Sequence, residues 1–408
     1  MPQPILLIIG YVWPEPTSSA AGCRMMQLIE LFTKANYSIC FATPAQKSGF
    51  EFPLETIGVQ AQEILLNSDS FNVFVRNLQP NIVLFDRYMM EEQFGWRVIE
   101  EVPNALRILD TEDLHFLRFA RQEAYKLGVE PSLKMLRNDL AKREIAAILR
   151  CDCTLIISKA EQELLVTHFG VSSNLLLYLP LLFEPNTSQR KGFEDRQDFI
   201  FIGNFYHEPN WHAVNVLKKE IWPLIRKQLP NVNLLIYGAY TSEKVKNLHQ
   251  PKDGFLVEGR AASVFEVMEN AKICLAPLYF GAGLKGKLLN AMEAGTPSIT
   301  THIGAEGIAS KQEWPGEVED QLSLFAASAI HLYQDQKAWE IYQTKGYTIL
   351  AQSFYRSLFE PIFLQRMQQL QENLQNHREQ NFIGAMLQHH LLNSTKYLSK
   401  WIQEKNKE

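Results

Sequence analysis

The hydrophobic positions of this chain fall into short unbroken runs separated by amphipathic stretches. Residues 5–12 (ILLIIGYV) form one continuous apolar run, the pattern of a strand buried on both faces of a parallel sheet. A loop rich in Pro, Ser and Gly follows over 13–22. A helical pattern then covers Arg24 to Lys34, with Met25, Leu28, Ile29 and Leu31 apolar, and a second strand is predicted over 37–42. That is one βαβ unit. The alternation continues through NIVLF (81–85), LRILD (106–110), an amphipathic helix near 132–150 and CTLIIS (153–158). The first part of the chain therefore reads as a doubly wound sheet.

The stretch 183–197 (FEPNTSQRKGFEDRQ) is polar, carries six charges, and separates two apolar runs as an interdomain linker would. Beyond it the pattern restarts with FIFIGN (199–204), a helix over 212–229, and strands VNLLIYG (232–238), GFLVEG (254–259), ICLAPLYF (273–280) and PSITT (297–301). After about residue 318 the pattern is helical throughout. The expected division is a first Rossmann-like domain over 1–190, a second over 198–350, and a helical C-terminal tail over 351–408. A cleft between two open α/β sheets is a preferred ligand site.

Composition narrows the class without changing this picture. With 408 residues, 46% hydrophobic and 21% charged, the chain is long enough for more than one core and far from disordered or fibrous compositions. A net charge of −5 gives no electrostatic footprint for nucleic acid, so duplex binding is not expected. The five cysteines are scattered with no zinc-like spacing, which fits a reducing compartment. No apolar run is long enough to span a bilayer, and the early run lacks the features of a signal peptide. A cytoplasmic location is expected, with a contact at the inner membrane surface left open. Eight Lys/Arg against four Asp/Glu between Arg118 and Arg150 are compatible with such a contact, and equally with a solvated helix face.

The segment carrying most chemistry is Gly281 to Ile308 (GAGLKGKLLNAMEAGTPSITTHIGAEGI). After a strand ending at Phe280, Gly281 and Gly283 let the backbone approach a ligand, and a helix beginning near Leu284 offers free N–H groups and a positive dipole end. Lys285 and Lys287 fall in the first turn, where a cation is unfavourable unless it serves an anion. The pattern predicts a diphosphate site, the plain alternative being a glycine turn with solvated lysines. In the first domain, LDTEDLHFL places Asp110, Glu112, Asp113 and His115 at the carboxyl edge of a sheet. Two other readings stay open there. In one, Asp113 is the cap or first-turn acid of a helix and His115 is merely packed; in the other, the cluster holds a metal.

This second-half segment resembles the nucleotide-binding half of retaining GT-B glycosyltransferases of family 4, also called group 1. The resemblance rests on FIGNFYHEPN (201–210), IWPLI (221–225), VEGR (257–260), CLAPL (274–278), GAGLKGKLLNAMEAGTPSIT (281–300) and GAEGI (304–308). The first half agrees more loosely, through YVWPEPTSSAAG (11–22), LDTEDLHFLR (109–118) and CDCTLIISKAEQELL (151–165). The resemblance implies two Rossmann-like domains facing a cleft, a nucleotide sugar held mainly by the second and a glycan, lipid-linked or other acceptor by the first. It also implies retention of configuration, no bound metal and no separate cofactor. Lys287 matches a family lysine at the diphosphate, and His115 best matches a histidine that contacts the transferred sugar. With Asp113 these make the expected catalytic set. The donor site would comprise Gly203, Asn204, Arg260, Gly281, Gly283, Leu284, Lys285, Lys287, Asn290 and Glu306. Arg24, following the small loop 18–22, is expected either at the phosphate and acceptor or exposed on its helix.

The sequence departs from the family pattern at three positions. The usual pair of glutamates falls on Ala282 and Asn290, and the usual arginine after the FIG strand falls on Asn204. An amide binds a hydroxyl without the charge of a carboxylate, and one cation is missing from the diphosphate site. The expectation is a glycosyltransferase of cell-surface glycan synthesis. A catalytically impaired binding or scaffold protein and a sugar-nucleotide-rearranging enzyme of epimerase type stand as alternatives.

Overall fold

The computed structural model describes residues 3–185 and 190–389 together with Tyr397, Trp401 and Lys405. Residues 186–189 of the expected linker and most of the tail beyond 389 lie outside the described residues. Two all-parallel sheets are present. The first contains β1 (Ile5–Ile9), β2 (Ser38–Thr43), β3 (Gln60–Glu63), β4 (Ile82–Asp86), β5 (Leu106–Asp110), β6 (Cys153–Ile156) and β7 (Leu176–Tyr178), in the order β3-β2-β1-β4-β5-β6-β7. The second contains β8 (Gln197–Ile202), β9 (Leu234–Tyr237), β10 (Phe255–Gly259), β11 (Ala271–Ala276), β12 (Ser298–Thr300) and β13 (Gly316–Val318), in the order β10-β9-β8-β11-β12-β13.

Each sheet reverses direction of winding at its central strand, β1 or β8, so the loops after the central strands open onto one edge. Central strands are apolar throughout because helices cover both faces: Leu6, Leu7, Ile8 and Ile9 of β1 are all fully buried. Leu6 lies opposite Ile39 on one side and Ile82 on the other.

Several elements differ from the sequence pattern. The first strand stops at Ile9, because Gly10 is packed under Phe41 and Tyr11 donates its backbone N–H to Asp86 instead of a ladder partner. The expected helix near 132–150 is two pieces, Leu133–Leu136 and Asp139–Arg150, broken where Asn138 caps the second by accepting from Ala141 N. The expected 212–229 helix starts earlier, at Glu208, and passes through a wide π-helical turn at Leu217–Ile221 before Trp222–Gln228. Pro223 has no N–H to donate to the preceding turn, which accounts for the widening.

The chain does not end on the second sheet. Helices Arg356–Glu372, Leu374–Glu379 and Phe382–Gln388 return to the first, where Phe363, Met367 and Leu370 join a core with Leu28, Leu31 and Phe32. Burying side chains of this size stabilises by roughly 1.5–3 kcal/mol each. Polar contacts extend the attachment: Arg378 pairs with the buried Asp152 at 2.8 Å, and Asn381 donates to Leu149 O at 2.8 Å. The outgoing and returning segments touch where they pass between the sheets, with Phe183 N donating to Phe354 O and Arg356 N to Phe183 O, both at 2.9 Å.

Candidate active site

The loops at the carboxyl edges of the two sheets face one another, and the residues singled out from the sequence divide into those brought together there and those used elsewhere. The second-sheet turn after β11 meets the first-sheet loop after β5. A Cβ built on Gly283, whose φ is +64°, would lie 2.8 Å from Asp113 Cβ, so only glycine fits between the lobes at this point. Gly286 is seated in the same way, its missing Cβ 2.9 Å from Ala20, the first residue of the helix after β1.

Helix Gly286–Glu293 begins two residues later than the sequence predicted, which alters the roles of its lysines. Lys285 is the N-cap, and its ammonium turns back to Ala282 O at 3.2 Å and Gly283 O at 2.7 Å. Burial pushes its amine down to about 8, with Glu306 opposing and Arg121 adding. Lys287, inside the first turn, donates to Asn210 Oδ1 at 2.5 Å and lies 4.1 Å over the Phe201 ring. Burial, which Cys274 opposes and Lys285 reinforces, pushes this amine down to about 7. Asn290 is half-buried further along the same helix, and Leu284 is buried at its entrance. Gly203 is required by the same lysine system: a Cβ there would meet the Asn210 side chain at 2.7 Å. Asn204 accepts from Tyr206 N at 2.9 Å and so shapes the loop before Asn210. His207, in that loop, keeps an exposed surface, yet crowding by both lobes pushes its imidazole down to about 4, with Arg118 adding and Asp113 opposing.

On the first lobe, His115 starts helix His115–Leu127 and stands 3.4 Å from Glu144 and 3.6 Å from Asp113. Asp113 is held by Arg118; burial works against the charged form, but Arg118, His115 and His207 together keep its carboxyl well below the ordinary range. Further acids lie beside them. Glu112 has a left-handed φ of +62°, and burial, with Asp110 and Asp86 adding, drives its carboxyl well above the usual value. Arg87 at +70° and Tyr240 at +58° are also left-handed, so three non-glycine residues of the edge loops occupy a costly backbone region. Within LDTED, Asp110 faces Arg24 and Asp113 faces Arg118. Among the described residues no group of three or more His, Cys, Asp or Glu is arranged to hold a metal ion.

Three of the expected residues are engaged by protein partners. Arg24 is not exposed. It is buried, with Nη2 2.7 Å from Asp110 and Nη1 2.7 Å from Leu179 O, because its helix enters the core at that point. Glu306 points across the cleft to Arg121, at 2.6 and 2.7 Å, and Arg121 also donates to Gly281 O at 3.0 Å. Arg260 likewise crosses, to Thr17 and Ser18 at 2.6 Å each.

Sequence reasoning overlooked Arg118, Arg121, Glu144 and Glu161. Glu144 accepts the backbone N–H groups of His115 and Phe116 at 3.2 and 3.1 Å, orienting the start of that helix. Glu161, 1% exposed, accepts from Leu114 N of its own lobe and Gly283 N of the other. The Ser158 to Glu161 spacing is that of a capping box, a local signal that conceals this bond.

With this geometry in view, residues 196–335 match the family model described as "Glycosyl transferases group 1". This segment is a group 1 glycosyl transferase domain. The two-sheet architecture of the whole chain is the GT-B fold, on solved structures of low sequence identity. HepE of Anabaena, solved with UDP and glucose, superposes with a TM-score of 0.66 at 13% identity, covering 90% of this chain and 100% of that one. Sucrose-phosphate synthase of Thermosynechococcus elongatus gives 0.63 at 15%, covering 90% and 99%. A TarM variant of S. aureus, solved with fondaparinux, alpha-GlcNAc-glycerol and UDP, gives 0.56 at 12%, covering 74% of this chain but only 58% of that chain. A search of curated protein sequences gives no significant match. Among the described residues no helix is long and apolar enough to cross a membrane.

Proposed function

We propose that this protein is a glycosyltransferase that moves a sugar from a nucleotide-sugar donor to an acceptor with retention, in the cleft between its sheets. The supporting observation is the placement of the Gly281–Gly283 turn of the group 1 domain directly against Asp113 of the other lobe, with Lys287 following that turn and held by Asn210. In this reading the domain over 198–350 holds the donor and that over 1–190 the acceptor. Lys287, Lys285 and the N–H groups at the start of helix Gly286–Glu293 meet the charge that develops on the leaving diphosphate, so no metal is required. Asn290 takes a ribose or sugar hydroxyl. His115 and Asp113 border the transferred sugar, with Arg118 keeping Asp113 ionised. A hexosyl or related donor, UDP among the nucleotides, and a cell-surface glycan acceptor met at the cytoplasmic face of the membrane complete the proposal.

A second reading, a GT-B binding or scaffold protein without transfer, is favoured by the engagement of Glu306 with Arg121 and by the uncharged Ala282, Asn290 and Asn204. Calorimetric titration with UDP, GDP and ADP in EDTA, with Lys287→Ala as control, is the first step in deciding between them. Selective binding lost in the variant supports the donor site, and hydrolysis or transfer from the matching nucleotide sugar then rejects the scaffold. No binding to any of the three rejects the transferase.

A further inference from the structure

Glu161 is the third residue of helix Lys159–Phe169, which follows β6 in the first lobe. Its Oε1 accepts two backbone N–H groups, that of Gly283 at 2.7 Å and that of Leu114 at 3.2 Å. Gly283 belongs to the turn of the second lobe, and Leu114 is the residue from which the His115 helix starts. One atom thus joins the two halves of the candidate site. The side chain is buried, and its Oε2 has no hydrogen-bond partner among the described residues, nor has Ser158 Oγ one turn earlier.

A buried carboxyl without an ion pair is costly, and ordinary helix capping does not explain this one. Ser158, the N-cap of the helix, makes no side-chain capping bond. Both bonds that Glu161 makes go instead to loops at the cleft. The surroundings leave no slack: a Cβ on Gly283 would meet Asp113, and one on Gly307 would lie 2.5 Å from Ser158 Oγ and 3.1 Å from Leu284. The first turn of this helix is therefore a template against which two glycine turns of the other lobe are seated.

We propose that Glu161 is a positioning residue: by accepting from Leu114 and Gly283 through one oxygen, it sets the register of the His115 helix against the phosphate-side turn. This rests on the glycosyltransferase reading for its purpose, though the geometry it asserts is independent of it. Two donors converging on one atom are tightly constrained, because a movement of about 0.5 Å takes the Leu114 bond beyond good hydrogen-bond length and the Gly283 bond to its limit. Burial, with the nearby Asp113 adding and the two N–H groups and Lys285 opposing, raises the carboxyl to about 8. A proton on Oε2 would leave Oε1 free to keep both bonds.

Amide hydrogen exchange on the full chain without nucleotide, comparing wild type with Glu161→Ala and Glu161→Gln, tests this directly. The alanine variant is expected to exchange faster at both Leu114 and Gly283, by about tenfold for one lost hydrogen bond, with β1 amides unchanged. The glutamine variant, which keeps an acceptor oxygen, is expected to restore protection. Titration with UDP should show the same order, the alanine variant about tenfold weaker and the glutamine variant close to wild type. If the alanine variant does not fold, Glu161→Asp, one methylene shorter, should give the same selective loss. Unchanged protection at both amides, loss spread equally through β1, or a glutamine variant as impaired as alanine would overturn the proposal. Wild type that binds no nucleotide would instead count against the transferase reading, while the exchange result would still decide the role of Glu161.

Discussion

Arg121 and Glu306 form a two-point ion pair across the cleft, at 2.6 and 2.7 Å, although 185 residues separate them in the chain. The fork geometry is specific, and both groups are largely shielded, so the pair is worth more than an exposed one. It anchors the start of the phosphate-side turn as well, through Arg121 and Gly281 O.

Removing either partner should loosen the contact between lobes without unfolding them. Arg121→Ala and Glu306→Gln are each expected to increase the radius of gyration in solution scattering. The double variant should change it no further than either single one, because the two residues act as a unit. Additive increases would show that the pair does not act as one contact.

Lys287 makes a prediction about protons. Its amine is depressed to about 7, so at pH 8 it is mostly neutral, and a diphosphate placed beside it would favour the charged form. Nucleotide binding at pH 8 should take up protons, and affinity should fall as pH rises above 7. Calorimetry in buffers of different ionisation enthalpy measures the uptake, which Lys287→Ala should reduce. Equal uptake in the variant would place the proton elsewhere.

Glu161 should make stability depend on pH in a definite direction. Its folded value of about 8 lies above the usual 4.5, so the folded state binds more protons between those values. That stabilisation is complete below pH 4.5 and is lost as pH rises through 8. Glu161→Gln cannot titrate, so the stability of wild type relative to this variant should decline from pH 5 to pH 8 in parallel urea titrations. A constant difference would contradict the raised value.

The Arg24 and Asp110 pair should be structural. Both side chains are fully buried, and Arg24 also holds Leu179 O. Arg24→Met strands a buried carboxylate, a loss of about 3–5 kcal/mol by the usual behaviour of broken buried pairs. Urea unfolding measures it. A loss below about 1 kcal/mol, the level of a surface pair, would show that Asp110 is accommodated without its partner.

How much of this the sequence disclosed follows from the range of the interactions. The glycine turn at 281–283 and the strands flanking it are legible because backbone conformation and apolar runs are local properties. β3 is not legible because QAQE is a polar edge strand, and β13 because GEV carries no apolar run. The lysines were assigned to one helical turn, but the helix begins at Gly286, which turns Lys285 back on its own loop. Arg24 was read as a surface or ligand residue because nothing near it announces Asp110, 86 positions away. Glu161 and Gly283 are 122 apart, and each has a sufficient local explanation, as capping acid and turn glycine. Side chains that join the lobes leave no periodic trace in either one.

The paired segments at Phe183 and Tyr355 bear on how the lobes are able to move. A single connecting strand would leave the second lobe free to swivel about it in any direction. Here the outgoing and returning chains are bridged side by side, and Arg356 adds ion pairs to Glu184 and Glu30 at 2.6 Å. Two crossings tied at one bridge oppose rotation about either chain alone more than rotation about the line joining them. Opening and closing of the cleft should therefore follow one hinge axis, so that each closure brings His115 back opposite the same turn.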